Sequence, residues 1–440
     1  MIKKIFNHAI PILALFLIAG VFLDSFQTKF TSLVHLSNLV ILLLILCRNI
    51  FFPAPQQYQK IKIELLLMLL LFFYLSLNAN LFCCSEFNVR MLLRLGFAIS
   101  LFYSFSQIHW KKMFHYSILL LTFLNIFTGI MSIVGMINQN LWLKFWSLFL
   151  TEHSLGLQLY EITRGRISAT FPVFMTFIIS LALLGLKGKI RILGIAGAIS
   201  GLLSTLLWGY RSYVIASIFG IIFLFVLIEQ IDKYSRRKIP LISKIKKNTL
   251  ISVLILLISY LAFFKSFTGV NIVDRFLMIY SIDQQATEGR WNFLNNSVAL
   301  FRQSPLFGVG IGNSRAYQKP LKISLVSPSG KELGKDLFFL PIDPHNIFLE
   351  YLSETGIIGI SLITALFILF FLYDLSLYKS IRVFLSRNKD YVILPMSLLI
   401  ISISSWIFLI SVQFTSYTKG ALYLFFILRG LLTASRQKLV

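Results

Sequence analysis

The sequence predicts an all-α polytopic membrane protein. About twelve transmembrane helices are expected, with both termini cytoplasmic and one large loop on the outer side. Three observations carry this reading. Hydrophobic residues make up 57% of the 440 and charged residues only 13%, where a soluble protein carries about 25% charged. The mean hydropathy is +0.81, and the apolar residues come in runs long enough to cross a bilayer as helices. The net charge of +24 gathers in short connections that fall on one side, as positive-inside topology requires. A basic soluble protein would suggest a nucleic-acid partner, but here no nucleic acid is expected. Cys47, Cys83 and Cys84 include two adjacent residues, which excludes a disulfide scaffold.

The spans are expected near 5–24, 30–48, 62–82, 89–108, 114–136, 168–186, 189–207, 210–230, 249–267, 346–373, 390–411 and 415–434. Lys3 and Lys4 precede the first, as in a signal peptide, but no small-residue cleavage site follows, so it reads as an uncleaved span. With the N-terminus inside, the inner side collects Arg48, Lys60, Lys111, Lys112, Lys187, Lys189 and Arg191. It also collects the basic run from Lys233 to Lys247, Lys379, Arg382, Arg387, Arg429 and Arg436, with few acids, Asp374 among them. Topogenesis is the better account of the 233–247 run, with an RNA or membrane-lipid head-group site as the alternative. Trp110, Trp142, Trp146 and Trp208 fall near span ends, where interfacial anchoring is expected. Three regions follow: 1–267 with nine spans, 268–345 as the large outer loop, and 346–440 with the last three spans.

Polar residues collect on the outer side, in segments 137–167 and 268–345. Long loops are more often functional than connective. In the longer one Trp291, Leu294, Val298 and Phe301 recur at helical spacing, with Asn292, Asn295, Asn296 and Arg302 opposite. That pattern predicts an amphipathic helix over 290–303 lying on the membrane surface. Pro305 ends it, and Gly308, Gly310 and Gly312 follow. A nucleotide loop would need a preceding strand and a following helix, so tight turns are the better reading of these glycines.

The loop closes at Pro344-His345-Asn346, at the mouth of the tenth span. Glu350 and Glu354 follow four residues apart on one helix face. Carboxylates inside a span are costly and mark function unless they lock helix packing. Arg211 sits in a very short outer connection, where positive-inside topology predicts no charge. Arg90, Arg94, Arg164, Arg166 and Arg290 are also on the outer side. Guanidinium forks near a membrane surface suit a diphosphate. The six histidines are scattered. No paired metal-ligand spacing, Walker loop or Gly-x-Ser-x-Gly occurs, so neither a metal nor a cofactor is expected.

Four segments resemble, in order and spacing, the O-antigen ligase and O-antigen polymerase superfamily. They are Gly289-Arg290-Trp291; Ser304-Pro305-Leu306-Phe307-Gly308-Val309-Gly310-Ile311-Gly312-Asn313; Pro344-His345-Asn346-Ile347-Phe348-Leu349-Glu350; and Glu354-Thr355-Gly356-Ile357-Ile358-Gly359. The resemblance implies a fold like that of the membrane-embedded glycosyltransferases, in a bacterial inner membrane, with the large loop periplasmic. It implies transfer of a glycan from an undecaprenyl-diphosphate carrier to an acceptor hydroxyl, without metal. The acceptor would be lipid A–core for a ligase or a second carrier-linked glycan for a polymerase. The form of the Pro-His-Asn motif favours the ligase. By resemblance His345, Arg211 and Arg290 are the catalytic residues. Arg94, Arg164, Arg166, Asn346 and Glu350 would help bind the diphosphate and glycan. Tyr210 and Ser212 flank Arg211 where the family commonly has Ser and Gly. From another class, a transporter of lipid-linked glycans competes, but no two halves with matched broken helices are visible.

Overall fold

The computed structural model describes residues 2–23, 31–51, 63–81, 86–108, 111–151, 155, 173–185, 188–208, 211–234, 284–313, 347–387, 393–410 and 419–436. All its regular elements among these residues are helical. They are α1 (Ile2–Leu23), α2 (Thr31–Phe51), α3 (Ile63–Leu81), α4 (Glu86–Ser106), α5 (Lys111–Ile137), α6 (Gln139–Ser147) and α7 (Val173–Thr176), which continues as a 3-10 run over Phe177–Gly185. Then come α8 (Lys189–Trp208), α9 (Arg211–Tyr234), α10 (Gln284–Gln303), α11 (Ile347–Arg387), α12 (Ile393–Ile410) and α13 (Lys419–Arg436).

The chain is a membrane protein by its apolar helices. Thr31–Phe51, His115–Gly135 and Phe348–Phe384 are each long and apolar enough to cross a bilayer, by length and composition, and shorter apolar helices accompany them. A helix stands at each expected span apart from 168–186, which is partly 3-10, and 249–267, which lies outside the described residues.

Burial divides some apolar helices into a protein side and an outward side, while α12 and α13 are buried nearly all round over their described residues. On α2, Val34, Ser37, Asn38, Ile41 and Ile45 are buried at helical spacing. Leu33, Leu36, Leu39 and Leu43 on the other side are exposed. Both sides are apolar, as expected of a helix that meets protein on one face and lipid on the other. Where helices approach most closely, small residues meet backbone. A Cβ on Gly430 of α13 would stand 2.7 Å from the Phe102 carbonyl oxygen of α4. A Cβ on Gly129 of α5 would stand 2.8 Å from Ser200 Cα of α8. In lipid such close packing is a main source of helix association.

The span expected at 168–186 departs from a plain helix. After one α turn it runs as 3-10 over Phe177–Gly185, longer than the usual three or four residues. Its polar groups are claimed from outside. Thr176 Oγ1 donates to Asn125 Oδ1 at 2.7 Å, Asn125 Nδ2 donates to Ser180 Oγ at 3.1 Å, and Ser404 Oγ donates to the Met175 carbonyl. Bonds from α5 and α12 therefore hold this segment, and α8 packs along it.

The outer segment expected over 137–167 contains a further helix, α6. Asn138 caps it, accepting from the Leu141 backbone N–H at 2.9 Å. Trp142 and Trp146 are not interfacial anchors. They are 0% and 4% exposed, with Trp146 edge-on to Phe127, Phe145 and Phe149. They lie four apart, so one face of α6 carries both into the core.

Arg429 and Asp374 are likewise not loop charges. Arg429 lies within α13 and is 2% exposed. Its Nη1 donates to Asp374 Oδ1 and Oδ2 of α11 at 2.9 and 2.7 Å, and Trp406 Nε1 of α12 donates to the same carboxylate. The guanidinium centre lies 4.8 Å from the ring centroids of both Phe370 and Trp406. A buried charge is tolerated when it is paired and when aromatic faces replace part of its hydration.

Candidate functional site

The glycine-rich segment after α10 and the Glu-Thr-Gly segment of α11 are two halves of one structure. Helix α11 is interrupted at Gly356, whose backbone is at φ 63°, ψ −163°, a region essentially restricted to glycine. In an uninterrupted helix the N–H groups of Ile357 and Ile358 would bond the carbonyls of Ser353 and Glu354. Here Ile357 N–H donates to the Pro305 carbonyl at 2.9 Å and Ile358 N–H to that of Leu306 at 3.4 Å. The vacated acceptors are taken by the loop: Val309 N–H donates to Ser353 O at 3.0 Å and Gly310 N–H to Glu354 O at 2.9 Å. Two helical bonds are thus exchanged for four between loop and helix.

This exchange explains two of the glycines. A Cβ on Gly308 would stand 2.3 Å from the Glu354 carbonyl carbon, and one on Gly356 2.4 Å from that of Leu306. The sequence reading assigned the loop glycines to tight turns. Their φ values of 72°, 101° and 77° at Gly308, Gly310 and Gly312 agree with that. At Gly308 the close approach of a second backbone is the stronger requirement.

Helix α3 closes the structure from a third side. Asn78 is 1% exposed. Its Nδ2 donates to the Phe307 carbonyl at 2.7 Å, and its Oδ1 accepts from Ile311 N–H at 2.8 Å. One carboxamide therefore spans the turn of the loop. Tyr74 Oη, one helical turn away, donates to the Thr355 carbonyl at 2.6 Å. Asn313 Nδ2 donates to the Val309 carbonyl at 3.0 Å and ties the loop's exit back on itself. Every backbone group around the break that these bonds involve is satisfied, as irregular backbone among apolar helices must be.

Helix α10 begins earlier than expected, at Gln284. Of the predicted pattern, Asn295, Asn296 and Arg302 are exposed as expected, but Leu294, Val298 and Phe301 are only half-buried and the buried positions are Ser297 and Leu300. It packs on α11, so the element carrying Arg290 and the element that follows His345 are joined by packing and by the loop exchange.

The remaining expected site residues fall as follows. Glu350 and Glu354 lie on the first turns of α11 and are 1% and 2% exposed, with Tyr351 buried between them, and both residues are engaged in further interactions. Arg94 lies on α4, partly exposed and also engaged. Arg211 is the first residue of α9, and Arg290 lies within α10. His345, Asn346, Arg164 and Arg166 lie outside the described residues, the first two immediately before α11. No group of three or more His, Cys, Asp or Glu is placed to hold a metal ion among the described residues.

Asn78 and Tyr74 are the participants that the sequence reading missed. The signal was present as the polar interruption Asn78-Ala79-Asn80 at the end of an otherwise apolar span.

Residues 173–364 match the family model described as O-antigen ligase. The matched stretch is somewhat under half of the chain, and it contains α10, the glycine loop and the break in α11. No curated protein matches the chain.

Proposed function

From residues 173–364 as a stretch of the O-antigen ligase-like superfamily, we propose that the chain transfers a glycan from an undecaprenyl-diphosphate carrier to an acceptor hydroxyl at the periplasmic face of the bacterial inner membrane. The specific reading is an O-antigen ligase joining O-antigen to lipid A–core. The supporting observation is the interlock of loop and α11. Two of the four segments that carry the family resemblance bond to each other backbone to backbone, inside the matched stretch. The large loop is periplasmic in this reading, with about twelve spans and both termini cytoplasmic.

The reaction follows from the chemistry of the donor. The acceptor oxygen attacks the anomeric carbon as the bond to the diphosphate oxygen breaks, and direct displacement inverts that centre. His345 takes the proton of the acceptor hydroxyl, a role imidazole side chains commonly fill near neutral pH. The departing diphosphate gains negative charge, which Arg211 and Arg290 stabilise with their planar forks in place of a metal ion. Arg94, Arg164 and Arg166 supply further positive charge at the same face. Asn346 binds the glycan, and Glu350, buried on the first turn of α11, orients His345.

The test is a transfer assay with purified protein and a carrier-linked glycan, with and without lipid A–core, beside the His345→Ala variant. Glycan appearing on lipid A–core establishes the ligase. Longer chains on the carrier in the absence of that acceptor establish a polymerase instead. His345→Ala is expected to abolish transfer with insertion intact, and normal activity in that variant overturns the assignment.

A further inference from the structure

Helix α3 contributes no residue to the proposed chemistry, yet it holds the loop at both sides of its turn. The Asn78 carboxamide bonds Phe307 O and Ile311 N–H. Tyr74 bonds the Thr355 carbonyl at the other half of the exchange. These contacts tie the glycine loop and the break in α11 to α3 through side chains. A carboxamide suits position 78, because it presents a donor and an acceptor on two separate atoms at the same time.

We propose that Asn78 is a positioning residue for glycan transfer, with Tyr74 as its second fastening. This rests on the functional reading above. Asn78 fixes the glycine loop against α3. The loop in turn fixes the C-terminal end of α10, the helix on which Arg290 lies nearer the other end, against the first turns of α11, which follow His345. A group placed two elements away from the chemistry can act in this manner because a misplacement on the order of 1 Å costs a reacting site about a hundredfold in rate.

The experiment compares Asn78→Ala with Asn125→Ala. Both are buried asparagines that bridge two elements, but Asn125 joins α5 to the segment 176–180, away from the interlock. Transfer kinetics are measured per folded molecule, as judged by size exclusion and thermal unfolding in detergent. Asn78→Ala is expected to lower kcat by about tenfold or more and leave KM for the carrier-linked donor within about twofold. Asn125→Ala should lower the melting temperature and keep kcat. Tyr74→Phe removes a single hydroxyl and keeps the ring, so it remains informative if Asn78→Ala does not fold; a smaller fall in kcat is expected. Wild-type kcat in the folded variants, or equal loss in the Asn125 control, overturns the proposal.

Amide hydrogen exchange supplies a readout independent of activity. In Asn78→Ala the N–H groups of Val309, Gly310 and Ile311 should exchange faster, and so should those of Ile357 and Ile358. Unchanged protection in that variant, or in Tyr74→Phe where only that variant folds, shows that the fastening does not exist, and the proposal falls. Wild-type protein that transfers nothing sinks the functional reading and the kinetic claim with it, while the exchange result still decides the fastening.

Discussion

Replacing Gly356 with alanine sets two ways of bonding the same backbone against each other. The added Cβ would stand 2.4 Å from both the carbonyl carbon and oxygen of Leu306, and 2.7 Å from the Gly308 nitrogen. No flexible side chain can move aside, because all three atoms are backbone. The residue would also have to keep φ near 63° and ψ near −163°, a conformation that costs a non-glycine residue about 1–3 kcal/mol. Alanine favours the helix, so the variant should close the Ile357 and Ile358 bonds onto Ser353 and Glu354 and expel the loop. The four exchanged bonds are each worth about 0.5–1.5 kcal/mol net, and the two recovered helical bonds return half of that. The interlock is thus held by about 1–3 kcal/mol net, a margin that the strain of about 1–3 kcal/mol and the backbone clashes in Gly356→Ala cancel, so its population should fall by roughly a hundredfold. Gly188 provides the control: its φ is 68°, but a Cβ there meets nothing within 4 Å. Gly188→Ala should show the left-handed cost alone, about 1–2 kcal/mol. Thermal unfolding and amide exchange at Ile357, Ile358, Val309 and Gly310 read both variants. A Gly356→Ala protein with wild-type melting and wild-type protection at these amides would refute the reasoning.

Two further expectations concern charges. Asp374→Ala strands the Arg429 guanidinium, 2% exposed, without its carboxylate, and should cost about 3–5 kcal/mol. The double variant Asp374→Leu with Arg429→Met should recover most of that, and a single variant as stable as the wild type in thermal unfolding contradicts the pairing. Arg211→Lys retains the charge and loses the fork, so transfer should fall at least about tenfold with insertion unchanged. Wild-type transfer by that variant would reduce Arg211 to a residue with no part in the reaction.

Much of the helix map was legible because a bilayer demands about 20 apolar residues in a row, a pattern any reading of the sequence can find. Helices α2, α3, α4, α5, α8 and α9 lie within a few residues of their expected spans. The amphipathic helix before the glycine loop was legible from its spacing. What misled the reading was the meaning of individual polar and aromatic residues. Trp142 and Trp146 have the sequence position of interfacial anchors but turn inward on a helix capped by Asn138. Arg429 has the position of a topogenic charge but meets Asp374 inside the bundle.

The sequence by itself located most of the described helices and the segments that resemble a glycan-transferring family. Both follow from local properties: hydropathy over a window, and residue types at fixed spacing. Only the tertiary structure decided that the glycine loop and the break at Gly356 are partners, with Asn78 from α3 across them. The segments in that contact lie far apart in the chain, and their bonds run mainly between backbone groups, which every residue but proline carries alike. A sequence shows that glycine is present at 308 and 356. It cannot show which backbone each of them lets in.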